Sequence, residues 1–364
     1  MIRNDCLHFK GETPCSYSRL CDGCPDYKPF KEKILLIKRA AMGDVLRTTS
    51  LLPGLKRTYP RSSIFWVVDE ESVELLKNNP YVDRVIPFMP EHWLPLFVEK
   101  FDVLICLDKD PGATALAMKV SSPKKIGFGM NEHGNLTVFN AASAYAYRLG
   151  VDNDLKFLKN RKTYQEIIYE MAEIGYQDDP YVFSLTSGDR RKAQEFLRRR
   201  RIRPSHPAVG LNTGAGTKFE TKQWPPAHFR KLVRMLATKL TVNVFLLGGA
   251  RERAMNRSLE RAAPKNVYNT GNDHSLLEFA GFVDAMDIVV SSDSLGMHLA
   301  IALGKKVVAL FGPTCPQEIS LYGRGSKLFA GVPCSPCYRF SCPDMTCMDE
   351  ISPEQVFEEI RKVL

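Results

Sequence analysis

An uninterrupted apolar strand that ends in a glycine turn most constrains how this chain can fold. Residues 33–38 read Lys-Ile-Leu-Leu-Ile-Lys, a run typical of a parallel strand covered on both faces. Gly43 then permits a close backbone approach, and Asp44 falls where the positive end of a following helix favours a carboxylate. Ligands gather at the carboxyl end of the first strand in an open α/β sheet. Two roles are open for Asp44 at this point: a helix cap or a catalytic group.

Further apolar runs alternate with amphipathic stretches and predict an α/β fold with doubly wound parallel sheets. The predicted strands lie at residues 64–68, 84–87, 102–107, 124–128, 208–211, 242–247, 288–290 and 306–311. The predicted helices lie at residues 72–77, 141–149, 164–174, 187–201 and from 352 onward. Ser187 is the candidate N-cap of the charged helix, and Pro353 occupies the first position of the closing helix.

Turn-forming residues at 175–180 divide the chain into two halves of similar size. We predict a cysteine-rich tail at residues 1–30, a first Rossmann-like domain at 31–180 and a second at 181–364. The second domain includes a cysteine-rich segment and the closing helix. Ligands should bind in the cleft between the halves, where both sets of strand carboxyl ends point.

The net charge of +9, from 50 Lys+Arg and 41 Asp+Glu, favours anionic partners such as phosphates or an acidic membrane surface. Nucleic acid is not an expected partner, because the basic residues are spread along the chain. The one dense basic run, at residues 198–203, ends a predicted helix, where positive charge matches the helix dipole. No apolar run is long enough for a transmembrane helix, and the first residues lack the apolar region of a signal peptide. We therefore expect a cytoplasmic protein.

Two stretches of the second half are candidates for binding phosphate. Residues 212–222 follow a predicted strand with glycines, hydroxyl groups and Lys222, although they match neither a P-loop nor a dinucleotide fingerprint. The pattern alone slightly favours an ordinary glycine-rich turn. In residues 291–304, the backbone amides from Ser294 to His298 would converge on an anion at a helix start, and Asp293 could order that turn. For His298, a place in the core is as well supported as ligand contact.

Asp108 and Asp110 form an Asp-x-Asp pair at the end of a predicted strand. Such pairs bind a divalent metal in some sugar-nucleotide enzymes. No other carboxylate or histidine cluster accompanies this pair, so a polar loop is the favoured interpretation.

Eight of the ten cysteines lie in two clusters near the ends of the chain. The first cluster is Cys6, Cys15, Cys21 and Cys24, and the second is Cys334, Cys337, Cys342 and Cys347. Each has four thiols, enough for a tetrahedral zinc ion or an iron–sulfur cluster. Free buried thiols, disulfides formed on oxidation and one site shared between the two chain ends are the alternatives that stay open.

The order of these motifs resembles family 9 glycosyltransferases, the ADP-heptose:lipopolysaccharide heptosyltransferase family. The resemblance covers roughly residues 33–364. Its markers lie at residues 37–46, 160–164, 222–225, 292–298 and 311–314, and residues 334–348 also look like many members. It implies a GT-B fold, two facing Rossmann-like domains that bind the acceptor mainly on the first and an ADP-sugar mainly on the second.

The same resemblance implies roles for individual residues. The catalytic carboxylate of the family corresponds to Asp44, and its donor-phosphate lysine corresponds to Lys222. Other residues implied to bind or flank the donor are Thr213, Gly214, Thr217, Glu252, Asp293, Ser294, Gly296, Met297 and His298. The resemblance implies no cofactor for catalysis, so a zinc ion or iron–sulfur cluster at the cysteines would be structural.

The function implied is inverting transfer of a heptose or related sugar from an ADP-sugar to a lipopolysaccharide inner-core acceptor. We expect a monomer, at most peripheral to the cytoplasmic face of the inner membrane. The N-terminal cysteine tail departs from the best-known members, so the sugar is not fixed. Two rival functions are a metal-cluster redox protein and a noncatalytic protein that binds anionic glycolipids on the same fold.

Overall fold

Two six-stranded sheets organise the chain, and the computed structural model describes residues 1–9, 11–29, 31–216 and 218–364. The strands of the first sheet are β1 (Lys33–Ile37), β2 (Ser63–Val68), β3 (Arg84–Pro87), β4 (Val103–Cys106), β5 (Lys124–Met130) and β6 (Leu136–Val138). Those of the second are β7 (Ala208–Asn212), β8 (Asn243–Leu247), β9 (Val267–Asn269), β10 (Ile288–Ser292), β11 (Lys306–Phe311) and β12 (Gly325–Phe329).

Both sheets have the same topology. The strand orders are β3-β2-β1-β4-β5-β6 and β12-β11-β10-β7-β8-β9, so counting the strands of each sheet from one gives 3-2-1-4-5-6 in both. All pairs are parallel except β5 and β6. This is the doubly wound order of nucleotide-binding folds. The strand order reverses between β1 and β4 in the first sheet and between β7 and β10 in the second, and ligands of such folds are expected at these switch points.

Helices cover the faces of both sheets. Those of the first half are α1 (Met42–Thr48), α2 (Leu51–Thr58), α3 (Val73–Leu76), α4 (Pro90–Trp93), α5 (Pro111–Lys119), α6 (Ala144–Arg148) and α7 (Tyr164–Ala172). Those of the second are α8 (Ser187–Arg199), α9 (Pro226–Lys239), α10 (Arg253–Arg261), α11 (Leu276–Asp284), α12 (Leu295–Ala302), α13 (Thr346–Asp349) and α14 (Pro353–Val363). Across the described ranges, no helix has the length and apolar character needed to cross a membrane.

The apolar strands are buried on both faces, as the continuous runs predict. On β8, Phe245 and Leu247 pack into one core cluster while Val244 and Leu246 pack into another on the opposite face. Successive side chains of a strand point to opposite faces, so a strand between two helical layers must be apolar throughout. The sequence prediction of an α/β fold is therefore confirmed.

The two halves share part of one core. Leu46 of α1 and Leu75 of α3 belong to the cluster that is otherwise built from the second sheet and its helices. The connection between the halves is also fixed by polar contacts. Arg57 donates to both oxygens of the buried Asp179 carboxylate at 2.6 Å, and the Tyr322 hydroxyl donates to the Asp179 carbonyl at 2.9 Å. These contacts hold the carboxyl edges of the two sheets on either side of one cleft.

Some details differ from the sequence predictions. The N-cap of α8 is Thr186 rather than Ser187, because Thr186 Oγ1 accepts the Asp189 amide while the Asp189 carboxylate accepts the Thr186 amide. Helix α8 ends at Arg199, two residues before the end predicted at residue 201. The short edge strands β6, β9 and β12 were not predicted, and β12 is largely exposed. The division into domains at residues 30 and 180 stays a prediction.

Candidate active site

Four loops meet at the cleft, each following a strand beside a switch point. They follow β1 and β4 in the first half and β7 and β10 in the second. Helix α1 of the first half packs against α12 of the second, which brings the loop after β1 opposite the loop after β10. The candidate residues of both halves are therefore neighbours, although they are separated by about 250 positions in the sequence.

Asp44 lies in the first turn of α1 and is paired with two cations. The Arg47 guanidinium lies 2.9 Å from Asp44 Oδ1, and Lys38 Nζ lies 3.9 Å from Oδ2. The Ala41 amide also points at the carboxylate, at 3.4 Å, so Asp44 does cap its helix. The side chain is 35% exposed, which leaves the carboxylate accessible from the cleft. The helix-cap role and an accessible carboxylate are thus compatible.

Burial and charge act in opposite directions on this carboxylate. Burial favours the neutral acid, but Arg47, Lys38 and His298 outweigh that effect and hold the pKa of Asp44 below its ordinary value. The same pairing raises the pKa of Arg47 against its own burial. Asp44 is therefore ionised throughout the neutral range and able to accept a proton or a hydrogen bond.

Asp108 and Asp110 shape the loops around Asp44. Asp108 Oδ2 accepts the Arg39 amide at 2.9 Å and lies 3.4 Å from Lys38 Nζ. Asp110 is the N-cap of α5, where its carboxylate accepts the amides of Gly112 and Ala113. Both carboxylates are engaged by protein groups, which confirms the prediction of a polar loop.

Lys222, Asp293 and His298 form the opposite wall of the cleft. Lys222 Nζ donates to the Asp293 carboxylate at 2.9 Å and to its carbonyl at 3.0 Å. His298 Nε2 lies 3.7 Å from the other carboxylate oxygen, and the Tyr181 ring stacks on the imidazole. Burial opposes ionisation of Asp293, but its bond to His298 and the Lys222 charge hold the pKa of that carboxyl far below its usual range. Asp293 therefore fixes the lysine at the start of α12.

Asn212, which begins the candidate glycine-rich stretch but was given no role of its own, joins the two loops of the second half. Its amide nitrogen lies 3.0 Å from the Gly214 carbonyl and 3.0 Å from each of the Ser291 and Ser294 hydroxyl oxygens. A Cβ on Gly296 would lie only 2.7 Å from this amide, which explains the glycine there. Ser294 is the N-cap of α12, so Asn212 anchors the start of that helix.

The glycine-rich loop lies beside Glu252. A Cβ on Gly214 would lie 2.8 Å from the Glu252 carboxylate, which accepts the Gly249 amide at 2.8 Å. The Thr213 hydroxyl is buried and lies 2.6 Å from Asn256 Oδ1, so it holds the loop to α10. Thr217, also predicted to flank the donor, lies outside the described residues.

A direct contact between the halves depends on Gly43. An ideal Cβ at Gly43 would lie 2.6 Å from His298 Cδ2. Met297 and His298 are both buried, and the imidazole is held by Tyr181 and Asp293. A side chain at position 43 would therefore push α1 away from α12. Gly43 serves close packing between the two halves and not only a turn.

Several cations of the first half line the cleft near Asp44 and were not predicted. Arg47 lies over the Tyr164 ring at 3.8 Å, and Lys156 lies over the Tyr338 ring at 3.6 Å. Burial lowers the pKa of the Lys109 ammonium to about 8, and Lys156 adds to that effect. Arg47 alone could have been predicted to lie beside Asp44, because residues three positions apart are neighbours on a helix. Lys109 follows β4, whereas Lys156 lies in a short π-helix at Asp154–Lys159, so no local sequence pattern links the two lysines.

The C-terminal cysteine segment supports the loop that carries Lys222. Thr221 Oγ1 donates to the Arg339 carbonyl at 2.6 Å, and the rings of Phe219 and Phe340 lie 4.6 Å apart. Burial raises the pKa of the Cys347 thiol, and its three fellow cysteines of the cluster add to the rise, so the four lie near one another. No three His, Cys, Asp or Glu side chains within the described ranges are arranged to hold a single metal ion.

Two facing Rossmann-like sheets are the architecture of GT-B glycosyltransferases, and here the Asp44 carboxylate, paired with Arg47 and Lys38, lies across the cleft from the start of α12. The family model of glycosyltransferase family 9 (heptosyltransferase) matches residues 91–347. The chain belongs to this family, and it is an enzyme of the heptosyltransferase type.

Individual relatives agree with this assignment. Lipopolysaccharide heptosyltransferase 1 of Escherichia coli O18:K1:H7 is 27% identical over 308 residues, which cover 81% of this chain and 90% of the relative. The fold is shared with a family 9 glycosyltransferase of Veillonella parvula, at a TM-score of 0.70 and 20% identity over 91% of this chain and 97% of that one. The fold is also shared with E. coli ADP-heptose lipopolysaccharide heptosyltransferase II, at a TM-score of 0.66 and 20% identity. That match covers 91% of this chain and 98% of the other.

The contact between Gly43 and His298 generates a test of how the halves are packed. Gly43→Ala should lower the free energy of unfolding by about 1–3 kcal/mol, the usual effect of overpacking, and should lower transferase activity because the cleft is forced open. Gly175→Ala is the matched control, since nothing lies within 4 Å of a Cβ there. Thermal unfolding and turnover of both variants are the measurements. If Gly43→Ala and Gly175→Ala have the same thermal midpoint and the same turnover, the contact between Gly43 and His298 does not control how the halves are packed.

Proposed function

We propose that this enzyme transfers a heptose or related sugar, with inversion, from an ADP-sugar to a hydroxyl of a lipopolysaccharide inner-core acceptor. One observation carries the proposal: the ionised Asp44 of one switch point faces the Lys222–Asp293 pair and the start of α12 at the other. A base and a phosphate site on opposite walls are what an inverting displacement requires. The heptosyltransferase relatives, one solved enzyme being named for ADP-heptose, support the choice of substrates.

In this mechanism, Asp44 acts as the general base. The acceptor hydroxyl gives its proton to the Asp44 carboxylate while its oxygen forms a bond to the anomeric carbon. The bond from that carbon to the diphosphate breaks on the opposite face, and its electron pair leaves with ADP. Arg47 keeps the carboxylate ionised before the reaction and oriented toward the cleft.

The leaving diphosphate is stabilised from the other wall. An ammonium has three donors, and Lys222 uses two on Asp293, so one is left for a phosphate oxygen. The first amides of α12 have no partner within their own helix, because the initial turn of any helix leaves its donors free. These groups act on the charge that develops as ADP departs. Glu252 and Gly214, beside the same loop, flank the remainder of the nucleotide.

The acceptor side is basic. Arg47 lies beside Asp44, and Lys109 and Lys156 of the first half add positive charge near Glu318. This charge suits an acceptor that carries phosphate or carboxylate groups, as a lipopolysaccharide core does. Glu318 contributes a partly buried carboxyl beside Arg47, and burial raises its pKa.

Transfer needs no metal or cofactor in this proposal, because Lys222 and the α12 amides supply the charge stabilisation that a leaving diphosphate requires. Both walls of the cleft come from one chain, so a monomer suffices. An acceptor embedded in the membrane would bring the enzyme to the cytoplasmic face of the inner membrane, where a net charge of +9 favours acidic lipid.

Replacing the base should abolish most of the transfer while leaving donor binding intact. Asp44→Asn removes the proton acceptor at nearly constant shape, and we expect kcat to fall by about 10²–10⁴. Steady-state transfer assays and calorimetric titration with ADP separate the two effects. Asp152→Asn, at an exposed ion pair with Arg148, is the control and should stay at the wild-type rate. Near wild-type turnover of Asp44→Asn would remove the base assignment.

Replacing Lys222 should act on the leaving group. We expect Lys222→Ala to lower kcat/KM for the ADP-sugar by about 10²–10³ and to weaken binding of ADP, because the phosphate loses a positioned cation. The matched control is Lys231→Ala, which removes a lysine paired with Glu354 on the surface of α9. Unchanged ADP affinity and rate in Lys222→Ala would exclude a phosphate role for this lysine.

A further inference from the structure

The N-terminal cysteine module, residues 1–9 and 11–29, is folded without a core of its own. Cys6 is the one buried side chain among them. The module has no helix or ladder strand in its described residues, and its one bridge pairs Cys6 with Pro29. A segment of this size cannot bury enough apolar surface to be stable, so disulfides or a metal usually replace the core.

Four cysteines of the module line a single cavity of about 350 Å³. None of them is in a disulfide. Both ends of the module border this half-open cavity, since Met1 and Tyr27 line it together. The four thiols of the module therefore face one common space.

The backbone repeats one geometry at each of these cysteines. In each case the carbonyl oxygen accepts the amide three residues later: Phe9 for Cys6, Ser18 for Cys15, Cys24 for Cys21, and Tyr27 for Cys24, at 2.8–3.3 Å. Each of the four cysteines therefore opens a tight turn of the backbone.

How closely the four thiols are grouped distinguishes between the occupants that four thiolates can bind. Around one zinc ion, thiolates at about 2.3 Å lie about 3.8 Å from one another and leave no cavity. The described residues hold no such compact group of metal ligands. A cluster of several iron and sulfide ions holds its four cysteines further apart and fills the space between them.

We propose that the module binds an iron–sulfur cluster through its four thiolates, those of Cys6, Cys15, Cys21 and Cys24. The cluster takes the place of the missing core and fixes the fold of the module.

The position of the module indicates a structural role. Lys28 pairs with Asp83 at 3.1 Å. Asp83 lies immediately before β3 and accepts a hydrogen bond from the backbone amide of Ile64 in β2. Leu7 packs against the core of the first half. These contacts lie at the amino ends of the parallel strands, whereas Asp44 lies at their carboxyl ends. The cluster therefore stabilises the first half without touching the substrates.

The test is chemical analysis of the full chain purified without oxygen from iron-replete cells. The expected result is equal amounts of iron and acid-labile sulfide, with the visible absorption of an iron–sulfur cluster. Cys21→Ser/Cys24→Ser should lose this iron and sulfide. Cys334→Ser/Cys337→Ser, the matched change in the other cluster, should keep them. Removing the iron from the wild type should lower the thermal midpoint and leave KM for the ADP-sugar unchanged.

The proposal would be overturned if the wild type contained no iron and sulfide, or if Cys21→Ser/Cys24→Ser kept all of its iron. It would also be overturned if the wild type contained zinc instead of iron and Cys21→Ser/Cys24→Ser lost that zinc. Two disulfides among the four cysteines would overturn it as well. If Cys21→Ser/Cys24→Ser fails to fold, Cys334→Ser/Cys337→Ser decides the question. On that background, equal iron and sulfide support the module site, and their absence refutes it.

Discussion

The close contact between α1 and α12 is the constraint on which the site depends. Gly43 and His298 meet where a Cβ would lie only 2.6 Å from the imidazole, so the two switch points face each other across a narrow cleft. Each sheet alone has the 3-2-1-4-5-6 order of a nucleotide-binding fold. The contact combines them, because it sets the Asp44 carboxylate of one sheet against the phosphate-type helix start of the other. Chemistry between a donor and an acceptor needs this distance to be fixed.

Electrostatic interactions give the two walls of the cleft different roles. Asp44 and Asp293 are both carboxylates whose neighbouring cations lower their pKa against the effect of burial. Their surroundings give them different roles. Asp293 is engaged by Lys222 and His298 and fixes a cation at the helix start. Asp44 is a third exposed and so stays accessible from the cleft. Each carboxylate keeps its charge because cations are already in place, and no rearrangement of charge has to precede the reaction.

The sequence predicted the fold well because the strands of doubly wound sheets are continuous apolar runs. It missed β6, β9 and β12, which are short edge strands with less burial to mark them. The strand patterns and the family resemblance together assigned Asp44, Lys222 and Asp293 to the site, and the structure brings these side chains to one cleft, while their roles stay predictions. Lys109 and Lys156 were not assigned to the site, and Asn212 was given no role of its own, because most of their partners are distant in the chain and no local spacing reveals them. The cap of α8 was misplaced by one residue, since Thr186 and Ser187 carry equivalent hydroxyls and only backbone geometry separates them.

The central claim is that Asp44 and the Lys222 wall act on opposite faces of the sugar. The anomeric configuration of the product tests it most directly. The enzyme would be incubated with ADP-heptose and a heptose-free lipopolysaccharide core, and the new glycosidic linkage would be assigned by nuclear magnetic resonance. The account predicts a linkage of the configuration opposite to that of the donor. A product that keeps the configuration of the donor would contradict it, since a single displacement by a hydroxyl on the face opposite the diphosphate inverts the anomeric carbon.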